Sequence, residues 1–285
     1  MTQIAQALRD AVSPQLTRLE AQMLMLHTLG RASHDRAWLL AHDSDIIDPP
    51  RLAQFISKCE RRAKGEPLAY ITGNKAFFGL DLQLDARVLD PRSDTETLVD
   101  WGLEVISGLT APAVLDLGTG SGAIALALAH NRSDATVSAS DASPDALDVA
   151  RANAERLGLA LRWHLGSWFD AVPQPTQAEA PQQTRGFALI VANPPYIAAG
   201  DAHLAALGHE PLSALVSGID GLDAIREIVR EAPGHLQPGG WLLVEHGFDQ
   251  ADAVRQLLQA RGFARVQSRN DLAGIARCSG GQWAK

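Results

Sequence analysis

The chain has 285 residues, 46% of them hydrophobic, enough to bury a full core and to build one large domain plus a small one. No apolar stretch reaches the roughly 20 residues that span a bilayer, and the N-terminus MTQIAQALRDAV lacks the charged and apolar regions of a signal peptide, so a cytoplasmic protein without membrane contact is expected. A formal net charge of −8 opposes non-specific attraction to phosphate backbones, and no stable nucleic-acid partner is expected.

The first 74 residues read as a helical domain. In LTRLEAQMLML the positions Leu16, Leu19, Met23 and Leu26 recur at helical spacing, with Gly30 as the stop. Pro50 then opens a second helix whose stripe is Leu52, Phe55, Ile56 and Cys59, closed by Gly65 and Pro67. Cys59 reads as core. The basic run SKCERRAK reads as a solvated helix end or as a contact surface for an acidic partner. Cys59 and Cys278 lie far apart, the nine histidines show no ligand spacing, and no metal site is assigned.

At Phe78 the period changes to two. Phe78, Leu80, Leu82 and Leu84 alternate with Gly79, Asp81 and Gln83, and a turn at DAR leads to Val88 and Leu89, so residues 75–92 are expected to form a β-hairpin linker. PRSDTETLVDWGLEVI reads as the next helix, with Ser93 and Glu96 at capping-box spacing.

Residues 93–285 alternate short apolar runs with helical patterns, the rhythm of a parallel sheet covered on both faces. The expected strands are 113–117, 136–140, 161–165, 187–192, 241–245, 264–268 and 274–278. The Pro- and Gln-rich stretch AVPQPTQAEAPQQTRG, 171–186, is expected to be a mobile surface insertion without chemistry.

Two strand ends carry the chemistry. In VLDLGTGSGAIALALA a strand, a glycine turn and a helix bring the backbone of Gly118, Thr119, Gly120, Ser121 and Gly122 close to a ligand. The spelling alone fits a nicotinamide cofactor as well as S-adenosylmethionine. Asp141, at the end of the second strand, is placed to accept ribose hydroxyls, or else merely opens the next helix. Trp168 flanks an adenine face or is core.

In FALIVANPPYIA the fourth strand stops at Asn193. Pro194 and Pro195 donate no backbone N–H and stiffen the chain beyond the strand end. The Asn193 side-chain oxygen and the Pro194 carbonyl then present two acceptors, which match the two N–H bonds of an amide or amino –NH₂ group. Tyr196 is placed to pack flat against it. Such a pair suits methyl transfer to nitrogen, because a sulfonium methyl is already electrophilic and alignment is what the protein must add. An exocyclic –NH₂ of a nucleic-acid base fits the same pair, and so does a cofactor-binding module without catalysis.

DLGTGSGAIALALA, NPPYI, GEPLAYITG, FFGLDL and PRSDTE together resemble the protein-(glutamine-N5) methyltransferases that modify peptide chain release factors, over nearly the whole chain. The resemblance implies a seven-stranded Rossmann-like class I methyltransferase sheet, α/β, with a small N-terminal helical domain that helps dock the protein substrate. It implies S-adenosyl-L-methionine held by Gly118 to Gly122, Asp141, Trp168 and Asn193, and Asn193 to Tyr196 holding the glutamine of a Gly-Gly-Gln loop, in a monomer. A sister family that methylates a glutamine of a large-subunit ribosomal protein shares the Asn-Pro-Pro-Tyr end, but DTE at 94–96 and GEPLAYITG fit the release-factor branch better. The chain departs from the family's usual residues at Asp90 (Ile or Val), Ser93 (Pro), Ser167 (Asp) and Gly208-His209 (Arg-Phe). Gly280-Gly281-Gln282 near the C-terminus repeats the modified tripeptide, which raises self-methylation at Gln282 as a remote alternative.

Overall fold

The computed structural model describes residues 1–172 and 186–285, so most of the expected insertion at 171–186 lies outside the described residues. Two compact units are present, Met1–Asn74 and Lys75–Lys285.

The first unit is built from helices. Arg18–Thr28 starts with a capping box, in which the Thr17 hydroxyl accepts from the Glu20 backbone and Glu20 accepts from the Thr17 N–H at 2.8 Å. It ends where Gly30, at φ 70°, lets the Arg31 N–H reach back to Leu26. It buries Ala21, Gln22, Leu24, Met25, Leu26 and Thr28, so of the expected stripe Leu16 and Leu26 lie in the core while Leu19 is half exposed and Met23 only partly buried. The apolar run through Leu26 is long enough to fit more than one phase, and packing selects one. Pro49–Ala63 buries Phe55 and Cys59, behind an Asp48 cap. Its basic end is largely paired inside the unit: Arg62 with Glu20 at 2.8 Å, Arg61 with Glu66, and Lys58 donating to the Thr28 hydroxyl. These pairings leave less positive charge free on that face than the sequence alone suggests.

The hairpin turns earlier than expected. Its strands are Asn74–Phe77 and Leu80–Gln83, joined through Phe78 and Gly79 at φ 48° and 79°, and residues 84–92 form no strand. The alternation across 78–84 misled because Phe78 occupies the turn, not the strand. Glu96 does not cap its own helix; its carboxylate accepts from the Phe78 N–H at 2.8 Å, and Ser93 enters a 3₁₀ turn, Ser93–Thr95, without a cap bond. A buried Asn153 side chain bonds both backbone groups of Gln83, at 2.7 and 3.0 Å, pinning the hairpin to the sheet unit.

Seven strands form the central sheet: β1 Ala113–Leu117, β2 Thr136–Asp141, β3 Arg162–Leu165, β4 Phe187–Ala192, β5 Leu236–Glu245, β6 Ala264–Asn270 and β7 Ala276–Gln282. Their order is β6-β7-β5-β4-β1-β2-β3. The pairings from β5 through β4, β1 and β2 to β3 are parallel, as the alternation of strands and helices implies, while β7 runs antiparallel to both β5 and β6. β1 and β4 are nearly all buried, as strands covered on both faces must be. The chain order reverses between β1 and β4, and the crevice at that switch point is where a doubly wound sheet receives ligands.

β7 also lies later than expected and takes in the Gly-Gly-Gln tripeptide. A Cβ on Gly280 would stand 2.5 Å from Leu243 and 3.0 Å from Trp101, so glycine is required for close packing there. Gln282 pairs with Trp241, four ladder steps from the Cys278–Glu245 pair at the other end of the strand, and donates to the Gly239 carbonyl. That location removes the basis for self-methylation.

Candidate active site

The C-terminal ends of β1, β2 and β4 open onto a cavity of about 490 Å³, within the usual range for small-ligand sites. Gly118, Thr119, Gly120 and Ser121 line it, as do Asp141, Ser167, Trp168, Asn193 and Pro195. Gly122, Pro194 and Tyr196 do not. Gly122 caps the helix Ala123–Asn131, and a Cβ there would sit 2.9 Å from Leu126 and 3.2 Å from Ala150, so its glycine serves helix packing.

The turn between β1 and that helix is held by the end of β2: the Gly118 and Thr119 N–H groups both donate to the Ser140 carbonyl at 2.9 Å. Gly118 and Gly120 have φ of 70° and 55°, and the space beside Gly120 is open, a cradle that a ligand can enter. Asp141 accepts from the Gly120 N–H at 2.8 Å and from the Ser143 N–H at 2.9 Å, which fixes the carboxylate at the rim with lone pairs left for a ribose diol. The Trp168 ring lies over Gly118; a Cβ on that glycine would be 3.2 Å from the ring. Trp168 itself has φ 41°, an uncommon conformation for so bulky a residue.

Beneath the turn is Asp116, fully buried, a residue the sequence analysis did not single out. Its Oδ2 accepts from the Thr119 hydroxyl at 2.7 Å and from the Ala125 N–H at 3.2 Å, while Oδ1 has no partner. Burial outweighs those bonds and pushes its carboxyl up to about 7. The glycine cradle and the anchored Asp141 together fit a ligand with a ribose.

The acceptor end lies one strand over. Ladder pairs of β4 stop at Ala192, matched with Leu117 and Val244. Past it, the Asn193 Nδ2 donates to the buried Thr95 hydroxyl at 3.2 Å, which turns the Asn193 Oδ1 the other way. The Tyr196 carbonyl is held by the Gln250 side chain at 3.0 Å, and its hydroxyl points to Glu245 at 3.5 Å. Burial raises the Tyr196 phenol well above its ordinary range, with the Glu245 charge adding to the effect. A segment reading GHEP closes one side: Glu210, almost wholly buried, bonds Arg92 at 2.5 Å, and Pro211, Ser213 and Ala214 line the cavity. Asp90, the departure from an apolar family residue, is compensated by Lys75 at 3.0 Å and Arg92 at 3.6 Å. Among the described residues no group of histidine, cysteine and carboxylate side chains is arranged to hold a metal ion, and no helix is long and apolar enough to cross a membrane.

Comparison with known proteins decides among the chemistries that this geometry allows. The family model described as PrmC N-terminal domain matches residues 1–73, and the one described as methyltransferase small domain matches residues 99–212. A protein of Bordetella pertussis named release factor glutamine methyltransferase is 48% identical over 99% of this chain and 99% of its own length. The chain belongs to the release factor glutamine methyltransferase family. A member from Burkholderia pseudomallei with the same name is 46% identical over 94% of this chain and 92% of its own. In fold, the crystal structure of a methyltransferase from Pyrococcus furiosus aligns with a TM-score of 0.52 at 18% identity, covering 84% of this chain and all of that one. The sheet is therefore that of a class I methyltransferase, and the glycine turn belongs to a methyltransferase rather than to a nicotinamide enzyme.

Proposed function

We propose that this enzyme transfers a methyl group from S-adenosyl-L-methionine to the side-chain amide nitrogen of the glutamine in the Gly-Gly-Gln motif of peptide chain release factors. The observation that carries the reading is the Asn193 amide, oriented by Thr95 at the open end of β4, beside a glycine cradle in a chain 48% identical over its length to a protein of that name.

Gly118 to Ser121 and Asp141 hold the cofactor's amino-acid and ribose parts, and Trp168 covers the base, with Ser167 beside it. When bound, the cofactor supplies a sulfonium methyl, which is already a strong electrophile. The chain's own task is to present the nitrogen. Asn193 Oδ1 and the Pro194 carbonyl accept the two N–H bonds of the glutamine amide, which fixes its plane and draws electron density onto nitrogen. Alignment of this kind is worth effective molarities on the order of 10⁵ M or more. Tyr196, held at its carbonyl by Gln250, packs against the planar group. The N-terminal unit takes part in docking the release factor.

Asn193→Ala tests the assignment. Methyl transfer to a purified release factor is expected to fall by on the order of 10² or more, by analogy with other positioned polar groups, with cofactor affinity measured by calorimetry largely kept. A release factor whose Gly-Gly-Gln glutamine is replaced should take up no methyl. Methyl incorporation into nucleic acid or a ribosomal protein, with none into the release factor, would overturn the reading.

A further inference from the structure

Glu245 ends β5 directly behind Asn193 and Tyr196, wholly buried, and the methyl transfer itself does not use it. A carboxylate is costly to bury, so one kept here has partners that need it. Those neighbours come from separate parts of the chain: the Tyr196 hydroxyl donates to Oε1 at 3.5 Å, and Thr95 and Asn193 lie close enough to favour its ionised form. Oε2 has no partner at bonding distance. Thr95 meanwhile accepts the Asn193 Nδ2 at 3.2 Å, so its own hydroxyl proton must point elsewhere, and the carboxyl is the acceptor available.

We propose that Glu245 is the positioning residue of the site: as a carboxylate it can only accept, so the Tyr196 hydroxyl and the Thr95 hydroxyl proton turn toward it, Thr95 is left as an acceptor for the Asn193 –NH₂, and the Asn193 Oδ1 is kept facing the substrate nitrogen. The inference deepens the proposed function and rests on it. An Asn amide is nearly symmetric in shape, and only its hydrogen-bond partners decide which end faces out. If Glu245 carries a proton, one of its oxygens becomes a donor and the neighbours are released to reorient. Asn193 is then free to turn its –NH₂ outward, where it opposes the N–H bonds of the glutamine instead of accepting them.

The charge state is set locally. Burial raises the Glu245 carboxyl to about 7; Thr95, Arg277 and Asn193 favour ionisation and Asp94 opposes it. Arg277 is shared with Asp94 at 3.5 Å and Asp271 at 3.1 Å, the Cys278 thiol on β7 faces Glu245 with its own ionisation suppressed by burial, and Arg92 acts on the Tyr196 side. Turnover should therefore rise with pH through about 7.

The test has two arms, both with the full-length enzyme. In the first, without substrate, the Asn193 side-chain amide resonance, assigned by its loss in Asn193→Ala, is followed with pH; a titration near 7 in the wild type that is absent in Glu245→Gln is expected. A pH-independent resonance in the wild type overturns the proposal whatever the substrate. In the second, Glu245→Gln should lower kcat for release-factor methylation by roughly 10- to 100-fold at about pH 8 with the KM for S-adenosylmethionine within about twofold, and the gap should narrow roughly tenfold at about pH 6 as the wild type loses its carboxylate. Glu245→Asp, which keeps the charge, should recover part of the rate. Wild-type turnover matched by Glu245→Gln across the pH range overturns the proposal. If the wild type does not methylate the release factor at all, the proposed function fails, and the resonance titration still decides whether Glu245 holds Asn193.

Discussion

Two buried carboxyls lie beneath the two halves of this site, and they are held in opposite ways. Asp116 sits under the glycine turn with partners three and nine residues away in its own segment, Thr119 and Ala125. Glu245 sits under the acceptor end with partners 49 to 150 residues away, Tyr196 and Thr95 among them. Each is pushed to about 7 and each keeps one oxygen unpaired. The carboxyl under the glycine turn is thus held within one strand–turn–helix stretch, while the N–H groups of the turn itself are held by β2 through Ser140 and Asp141. The acceptor half is assembled only when the whole sheet has closed.

The sharpest way to break the comparison is through pH, because both groups impose the same sign. A carboxyl whose folded pKa is raised holds a proton in the native state that the unfolded chain has already lost. Stability from each group is complete below its unfolded value near 4, declines as pH rises toward about 7, and is level above that. The ceiling is about 4 kcal/mol for Asp116 and about 3 kcal/mol for Glu245, at 1.36 kcal/mol per unit. Denaturant unfolding of Asp116→Asn and of Glu245→Gln between about pH 4 and 7 should show a less negative slope than the wild type in both cases. Equal slopes for either variant and the wild type would show that its carboxyl ionises normally.

Removing the side chains altogether should separate the halves. Asp116→Ala strands a buried hydroxyl and a buried backbone N–H, at a cost of about 2–3 kcal/mol, and it should weaken cofactor binding because Thr119 lines the cavity. Glu210→Gln sharpens the other half. It removes the charge that faces Arg92, whose side chain is 37% exposed and can turn to water, so a loss of about 1–2 kcal/mol is expected together with a few-fold higher cofactor Kd as Pro211 and Ser213 loosen. A stability change without any change in Kd would mean that this segment only packs.

The same contrast explains what could be read from the sequence. The glycine turn, Asp141 and the Asn-Pro-Pro-Tyr end were legible as features of the cavity wall because each is written within a few residues of its own strand end. Asp116 lay inside the expected strand 113–117 but looked like one more sheet residue, and only its orphaned oxygen marks it. Glu245, Gln250 and Asn153 carry no local signal: a Glu at a strand end, a Gln after a turn and an Asn in a helix are ordinary until the fold brings them against Asn193, Tyr196 and Ser121. The hairpin and β7 slipped in register for the reverse reason. Phe78 and the Gly-Gly-Gln tripeptide carry strong local patterns, and tertiary packing, through Glu96 on the Phe78 N–H and Trp101 beside Gly280, overrode them.

The smallest effect tests whether the cofactor half works independently of the acceptor half. Ser167, exposed beside Trp168 at the cavity wall, stands where the family usually has an aspartate. Its hydroxyl can accept from an adenine amino group, but without the charge assistance that a carboxylate adds. Ser167→Asp should therefore tighten S-adenosylmethionine binding in calorimetry, by no more than about 1 kcal/mol, or roughly fivefold, because the position is open to water. The gain should appear with kcat unchanged, since among the described residues no hydrogen bond joins Ser167 to Asn193, Thr95 or Tyr196. A change in kcat with Kd fixed would join the two halves and remove the distinction between them.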